Sequence, residues 1–327
     1  MKQMILLMLF IPSLYSFAAF YVSNHKIMSE VQTYSKGSKK IVLIDMIHIG
    51  PRKFYKNVRK KLKEFKKDRA VVLQEGVHVC HKKGDELYVP TKSADFNKLE
   101  ELYLSRNTLD QKLANKKLES SGFQRVICIR DSSDKSNILD RFLSRFSFYG
   151  LMAGVGLVRS QGSMKIYPKN IALENGDIAS SSFIHPIMKA LSGSIVECML
   201  KLETEDNCIA FKLWLATDNG KKIVDDFIIN TRNNILVEKA LLVLGEKTPS
   251  KENYNFLMKN IDQDVVILPW GADHMSEELA QTLVDAGFQK EGTTKQGVVY
   301  SSCNKLQSNL ILRLIFAGNK EIKNKCR

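Results

Sequence analysis

Three short apolar runs punctuate the chain: Ile41-Val42-Leu43-Ile44, Ala70-Val71-Val72-Leu73 and Val265-Val266-Ile267-Leu268. Each is rich in β-branched side chains and ends at a polar or turn-forming residue, which predicts a buried strand. Between the first two, Phe54, Val58, Leu62 and Phe65 recur at helical spacing, so residues 52–69 read as an amphipathic helix. A strand–helix–strand unit places its two strands parallel, with their carboxyl ends at one rim. The third run continues as Pro269-Trp270-Gly271-Ala272-Asp273-His274-Met275. A helix is predicted to follow, with Ser276 as its cap, Glu277 and Glu278 in its first turn and Gly287 closing it. Elsewhere the pattern predicts helices over 96–118, 138–158 and 221–244 and a strand over 123–129. Residues 82–90 read as a polar loop, 167–170 as a turn, and 172–177 as the lead into a serine-rich loop. The fold class is therefore α/β (or α+β), a central mixed β-sheet with helices on both faces.

The chemistry gathers where these runs end. His48 lies three residues after Asp45, Glu75 follows the second run, and His274 follows the third. Open α/β sheets bind ligands at the carboxyl ends of their strands, so these three side chains are the primary candidates. They can share a cavity only if the third strand folds back beside the first two. His78 and His81 fall in a polar stretch and read as surface histidines. Glu174 and Asp177 stand near a turn, open to a role at the site or to simple solvation. Arg232, in the patch Thr231-Arg232-Asn233-Asn234, can snorkel to solvent or point its donor fork at an anion.

Composition narrows the partners. A 44% hydrophobic content over 327 residues supports a substantial core. Of the formal charge of +14, much is concentrated in residues 52–69, which hold ten Lys and Arg against Glu64 and Asp68. The aromatic residues there lie on or beside the apolar stripe, which argues against nucleic acid as a partner. A solvated face accounts for the charge, and an anionic membrane surface is the use that would fit it. From Gln3 to Asn24 there is no charged residue, and Ser16-Phe17-Ala18 offers small residues for a signal peptidase. Residues 1–18 therefore read as an export signal, or residues 4–22 as an uncleaved membrane anchor, with a periplasmic or extracellular domain over 38–302. A helical insert is expected near 138–191 and a tail over 303–327. Lys26, Lys36, Lys39 and Lys40 follow the apolar stretch while Lys2 alone precedes it, which cuts against export of an anchored form. The six cysteines show no zinc-type spacing. Export would permit Cys198–Cys208 and Cys303–Cys326 disulfides, and buried thiols fit equally well.

No phosphate-cradling glycine loop, nucleophile-elbow serine or helical zinc-peptidase motif is present. Six short motifs in order instead resemble the TraB/PrgY/Tiki superfamily, which is related to the erythromycin esterase and ChaN-like proteins. They are Ile47-His48-Ile49-Gly50-Pro51-Arg52-Lys53-Phe54-Tyr55, Val72-Leu73-Gln74-Glu75, Gly156-Leu157-Val158-Arg159-Ser160-Gln161, Glu174-Asn175-Gly176-Asp177, Thr231-Arg232-Asn233 and Gly271-Ala272-Asp273-His274-Met275. The likeness spans roughly residues 40–290. It departs from the family pattern at Asp45, which stands where the first glycine is expected.

The resemblance implies a metal-dependent hydrolase, above all a peptidase acting on a peptide or protein substrate. His48, Glu75 and His274 would bind one divalent ion (Mn or Co by family likeness, Zn by ligand type). Glu75 would alternatively accept the proton of the attacking water. Arg232 would stabilise the developing oxyanion or hold a substrate carboxylate. Asp45, Asp273 and Asn233 would support these groups, the two acids by orienting the imidazoles. Tyr55 and Asp177 would touch substrate. Two other readings stay open: a metal-free His48/Glu75 esterase, and a non-catalytic protein that sequesters a peptide or haem.

Overall fold

The last of the three apolar runs lies between the other two. A computed structural model describes residues 20–46, 49–74, 86–127, 159–160, 172–175, 185–200, 206–248, 263–271, 277–292, 296–308, 316 and 320–326. The described residues open with strands β1 (Phe20–Ser23), β2 (Lys26–Lys36), β3 (Lys39–Met46) and β4 (Ile49–Gly50), then helix α1 (Arg52–Leu62). A 3-10 segment, Lys63–Lys67, leads to β5 (Ala70–Gln74), β6 (Glu86–Pro90), α2 (Phe96–Leu104), α3 (Gln111–Ser120) and β7 (Phe123–Ile127). Next come β8 (Arg159–Ser160), β9 (Ala172–Asn175), α4 (Pro186–Leu200), α5 (Asp206–Leu215) and α6 (Asp218–Asp225). A π-helical stretch, Asp226–Thr231, runs into α7 (Arg232–Val243). The order closes with β10 (Val265–Gly271), α8 (Glu277–Asp285), β11 (Gln289–Lys290), β12 (Gln296–Ser302), α9 (Cys303–Ser308) and α10 (Lys320–Lys325).

Contacts divide the chain into two compact units. The first comprises Met1–Glu75, Ser147–Gly176 and Leu236–Arg327; the second comprises Gly76–Phe146 and Asp177–Ile235. The first is a mixed α/β unit whose sheet runs β1-β2-β3-β10-β5-β9, with β11 and β12 on the other edge of β2. β3, β10, β5 and β9 are parallel, whereas β1, β2, β11 and β12 pair antiparallel. Helices cover both faces. Val42, Ile44, Val72 and Ile267 pack under Phe54, Tyr55, Val58 and Leu62 of α1. Ile41, Leu43, Val71, Val266 and Leu268 pack under α7 and α8 residues such as Leu236, Ala240, Leu279 and Leu283. Double coverage explains why β3, β5 and β10 read as unbroken apolar runs rather than alternating ones. Each large side chain so buried contributes roughly 1.5–3 kcal/mol. Gly287, at φ +87°, ends α8 as its composition predicts.

The described sheet begins at Phe20, not near residue 38. Phe20 and Tyr21 are buried in β1, so residues 20–22 belong to the sheet and the uncharged segment ahead of it is shorter than 4–22. Residues 1–18 lie outside the described residues. The last segment is not a detached tail either. Cys303 is bonded to Cys326, and Leu306, Phe316 and Ile322 fill the same core as Phe20 and Tyr300. The edge rings of Phe20 and Phe316 meet at 5.5 Å.

The second unit packs helices from two separate stretches of the chain against a short strand pair. β6 and β7 form an antiparallel pair from Glu86↔Ile127 to Pro90↔Phe123, and α2–α6 pack around Tyr88, Phe96, Leu99, Leu191 and Trp214. The expected loop over 82–90 thus contains a strand, Glu86–Pro90, which pairs with β7 and buries Tyr88. The single helix expected over 96–118 is two: the Asp110 carboxylate accepts the Leu113 N–H at 2.9 Å and starts α3 afresh. Asp95 caps α2 in the same way. Between α3 and β7, Gly122 sits at φ +83°, where a Cβ would meet the Ser93 carbonyl at 2.4 Å, so glycine is required. Cys198–Cys208 closes a second disulfide here, with Cα atoms 5.0 Å apart. Cys80, Cys128 and most of the 138–191 insert lie outside the described residues.

Candidate functional site

The register of the first unit's sheet sets the geometry of the site. β10 pairs with β3 from Val265↔Lys40 to Gly271↔Met46, and with β5 from Val265↔Ala70 to Ile267↔Val72. β5 in turn pairs with β9 up to Gln74↔Asn175. All four strands run the same way, so Met46, Gly271, Gln74 and Asn175 end at one rim. Adjacent strands are about 4.8 Å apart, so β3 and β5 lie roughly 10 Å from each other across β10. His48 comes two residues after β3, Glu75 one after β5 and His274 three after β10. These three residues, with Asp273 and Asp177, lie outside the described residues.

The described rim is tightly specified. Asp45 sits level with Trp270 and is 1% exposed; its backbone carbonyl accepts the hydroxyl of Ser29, itself fully buried. The β10–β5 ladder stops at Ile267↔Val72, and two residues later Pro269 has no N–H to extend it. There the Trp270 indole N–H donates to the Leu73 carbonyl at 2.8 Å, bridging the strands where the ladder ends. On β2, level with Ile41 and so away from the rim, Tyr34 donates to Gln32 Oε1 at 2.9 Å. Burial, then the negative charges of Glu30 and Asp45, push the Tyr34 phenol above its ordinary value, so it stays a neutral donor. β4 pairs antiparallel with β8, Ile49↔Ser160 and Gly50↔Arg159, which carries Arg159-Ser160 to the residues just after His48.

Of the other sequence candidates, Tyr55 is 1% exposed and packs against Phe54 at a ring distance of 5.3 Å, a core position. Arg232 and Asn233 are buried, at 7% and 5% exposure, where the π-helical stretch becomes α7, and they belong to the second unit. π-turns within helices recur at functional sites. Sequence reasoning missed Trp270, Ser29 and the β4–β8 pairing, all of which depend on register. Among the described residues no group of three His, Cys, Asp or Glu side chains is placed to hold a metal ion. Two imidazoles and a carboxylate are ligand types that suit a divalent cation. Compared with protein families, with curated proteins and with solved structures, the chain matches none.

Proposed function

We propose that this chain is a metal-dependent hydrolase of peptide bonds, with His48, Glu75 and His274 holding one divalent ion. The observation that carries the reading is the strand order β3-β10-β5, which brings three distant stretches of sequence to one rim. A strand at residues 265–271 inserted between two strands closer to each other in sequence is what a shared site needs. Manganese, cobalt or zinc would supply a Lewis acid and lower the pKa of water. The remaining steps fall to the chain. Neutral imidazoles at His48 and His274 offer ring nitrogens as ligands, and their other N–H groups need acceptors to fix the tautomer. Asp45, buried at the end of β3, and Asp273, adjacent to His274, are acceptors of the right type. Glu75 either completes the ligand set or takes the proton of the attacking water and returns it to the leaving amine.

Metal content and peptide cleavage of the purified protein test this together. One ion per chain is expected, lost along with cleavage in both His48→Ala and His274→Ala. Occupancy should also fall in acid, because protons compete with the metal for its ligands. Cleavage that persists in chelator would replace the metal by a His48/Glu75 base. Peptide or haem binding without turnover would make the chain a sequestering protein.

A further inference from the structure

The outward face of α1 carries a dense stripe of positive charge. Arg52, Lys53, Lys56, Lys60 and, one residue past the helix, Lys63 are all exposed. At helical spacing they occupy one sector about 100° wide, opposite the face that buries Phe54, Tyr55, Val58 and Leu62. The first turn contains no acid and two cations, Arg52 and Lys53. Cations at a helix N-terminus oppose the macrodipole, so this arrangement lowers the helix's own stability and calls for another use. Arg52, Lys53 and Lys56, with Asn57, line an open depression of about 530 Å³. Asn57 is itself anchored, donating to the Val299 carbonyl at 2.8 Å.

Two further observations point to the partner. α1, α9 and α10 cover the same face of the first unit's sheet, and Lys305 and Lys323 add exposed charge to that layer. Phe20, the first residue of β1, packs in that layer against Tyr300 and Phe316, each at 5.5 Å. Immediately before it in sequence, residues 3–19 contain no charged side chain. The uncharged segment therefore ends, in sequence, at a residue whose ring packs in the layer that bears the cations. We propose that this face docks on an anionic phospholipid surface, the stripe meeting the headgroups. Nucleic acid fits less well, because Phe54 and Tyr55 are buried and offer no ring for stacking on bases.

Vesicle flotation with the full chain tests the proposal, since residues 3–19 are then common to every variant. Binding should be tighter to vesicles about one third phosphatidylglycerol than to neutral ones, and should weaken as salt rises from about 0.1 M. Each lysine at such a surface is worth about five-fold in binding, so Lys53→Gln/Lys56→Gln/Lys60→Gln should lose about 100-fold on the anionic vesicles. Lys98→Gln/Lys112→Gln/Lys116→Gln removes as many exposed charges from the second unit and should lose little. Equal binding of the α1 variant and the parent, an equal loss in both variants, or tighter binding to a short DNA duplex than to anionic vesicles would each overturn it.

Discussion

The chain has two tryptophans, one in each compact unit, and they are held differently. Trp270 is fully buried in the sheet of the first unit and donates to a backbone carbonyl on a neighbouring strand, Leu73. Trp214 belongs to a helical core, stacked on Phe96 at 5.7 Å, and donates to the Glu100 carboxylate at 3.2 Å. Glu100 is half-buried and can turn to water; the Leu73 carbonyl cannot. The first unit thus holds residues far apart in sequence by buried, register-dependent contacts. The second also joins residues far apart in sequence, but through part-buried side-chain pairs between helices, Glu100 with Trp214 and Tyr103 with Asp226. The difference matters for function, because a ligand set drawn from strands β3, β10 and β5 is only as well placed as their register.

Truncating each tryptophan is the strongest way to break that comparison. Trp270→Ala should cost about 4–5 kcal/mol, a cavity plus an orphaned buried carbonyl. Trp214→Ala should cost about 3 kcal/mol, since Glu100 recovers water. Urea unfolding followed by far-UV circular dichroism measures both, and equal costs would erase the distinction. The disulfides give the next effect. Cys303–Cys326 spans 23 residues of sequence and Cys198–Cys208 spans 10. By loop entropy their removal as serine pairs should cost roughly 3 kcal/mol in the first unit and somewhat less in the second. A larger loss from the shorter loop would show that native packing, not chain closure, decides.

What the sequence made legible follows the same division. β3, β5 and β10 were readable because strands buried on both faces carry continuous apolar runs, and α1 because its stripe recurs at helical spacing. Both disulfide pairs found were among the pairings the sequence allowed. β9 was not readable: Ala172-Leu173-Glu174-Asn175 has two apolar residues and becomes a strand only by pairing with β5. β1 was hidden because Phe20 and Tyr21 continue an uncharged segment and look like part of it. At the site, the nearness of β3, β10 and β5 could be stated only as a condition. The Trp270–Leu73 bond could not be stated at all, since no sequence pattern records which carbonyl an indole will meet. Tyr55 shows the opposite hazard, a residue singled out by motif whose position beside Phe54 on the buried side of α1 makes it core.

The smallest effect concerns the second unit's own polar cluster, and it carries a pH signature. Tyr103 is 1% exposed and donates to Asp226 Oδ2 at 2.7 Å, while Arg106 lies over its ring at 3.9 Å and reaches the same oxygen at 3.3 Å. Asn230 donates to the other carboxylate oxygen at 3.1 Å. Burial, followed by the hydrogen bond to Asp226, pushes the Tyr103 phenol up to about 12 from its ordinary 10.0. Between those values the folded chain keeps a proton that the unfolded chain has lost, so stability falls as pH rises through the window. Tyr103→Phe should cost about 1 kcal/mol near neutral pH, because Asp226 retains Arg106 and Asn230. The gap in urea midpoint between parent and variant should then narrow as pH climbs from 10 towards 12. A gap that stays constant would mean that the phenol titrates alike in both states, and that the cluster holds the π-helical stretch by packing rather than by its proton.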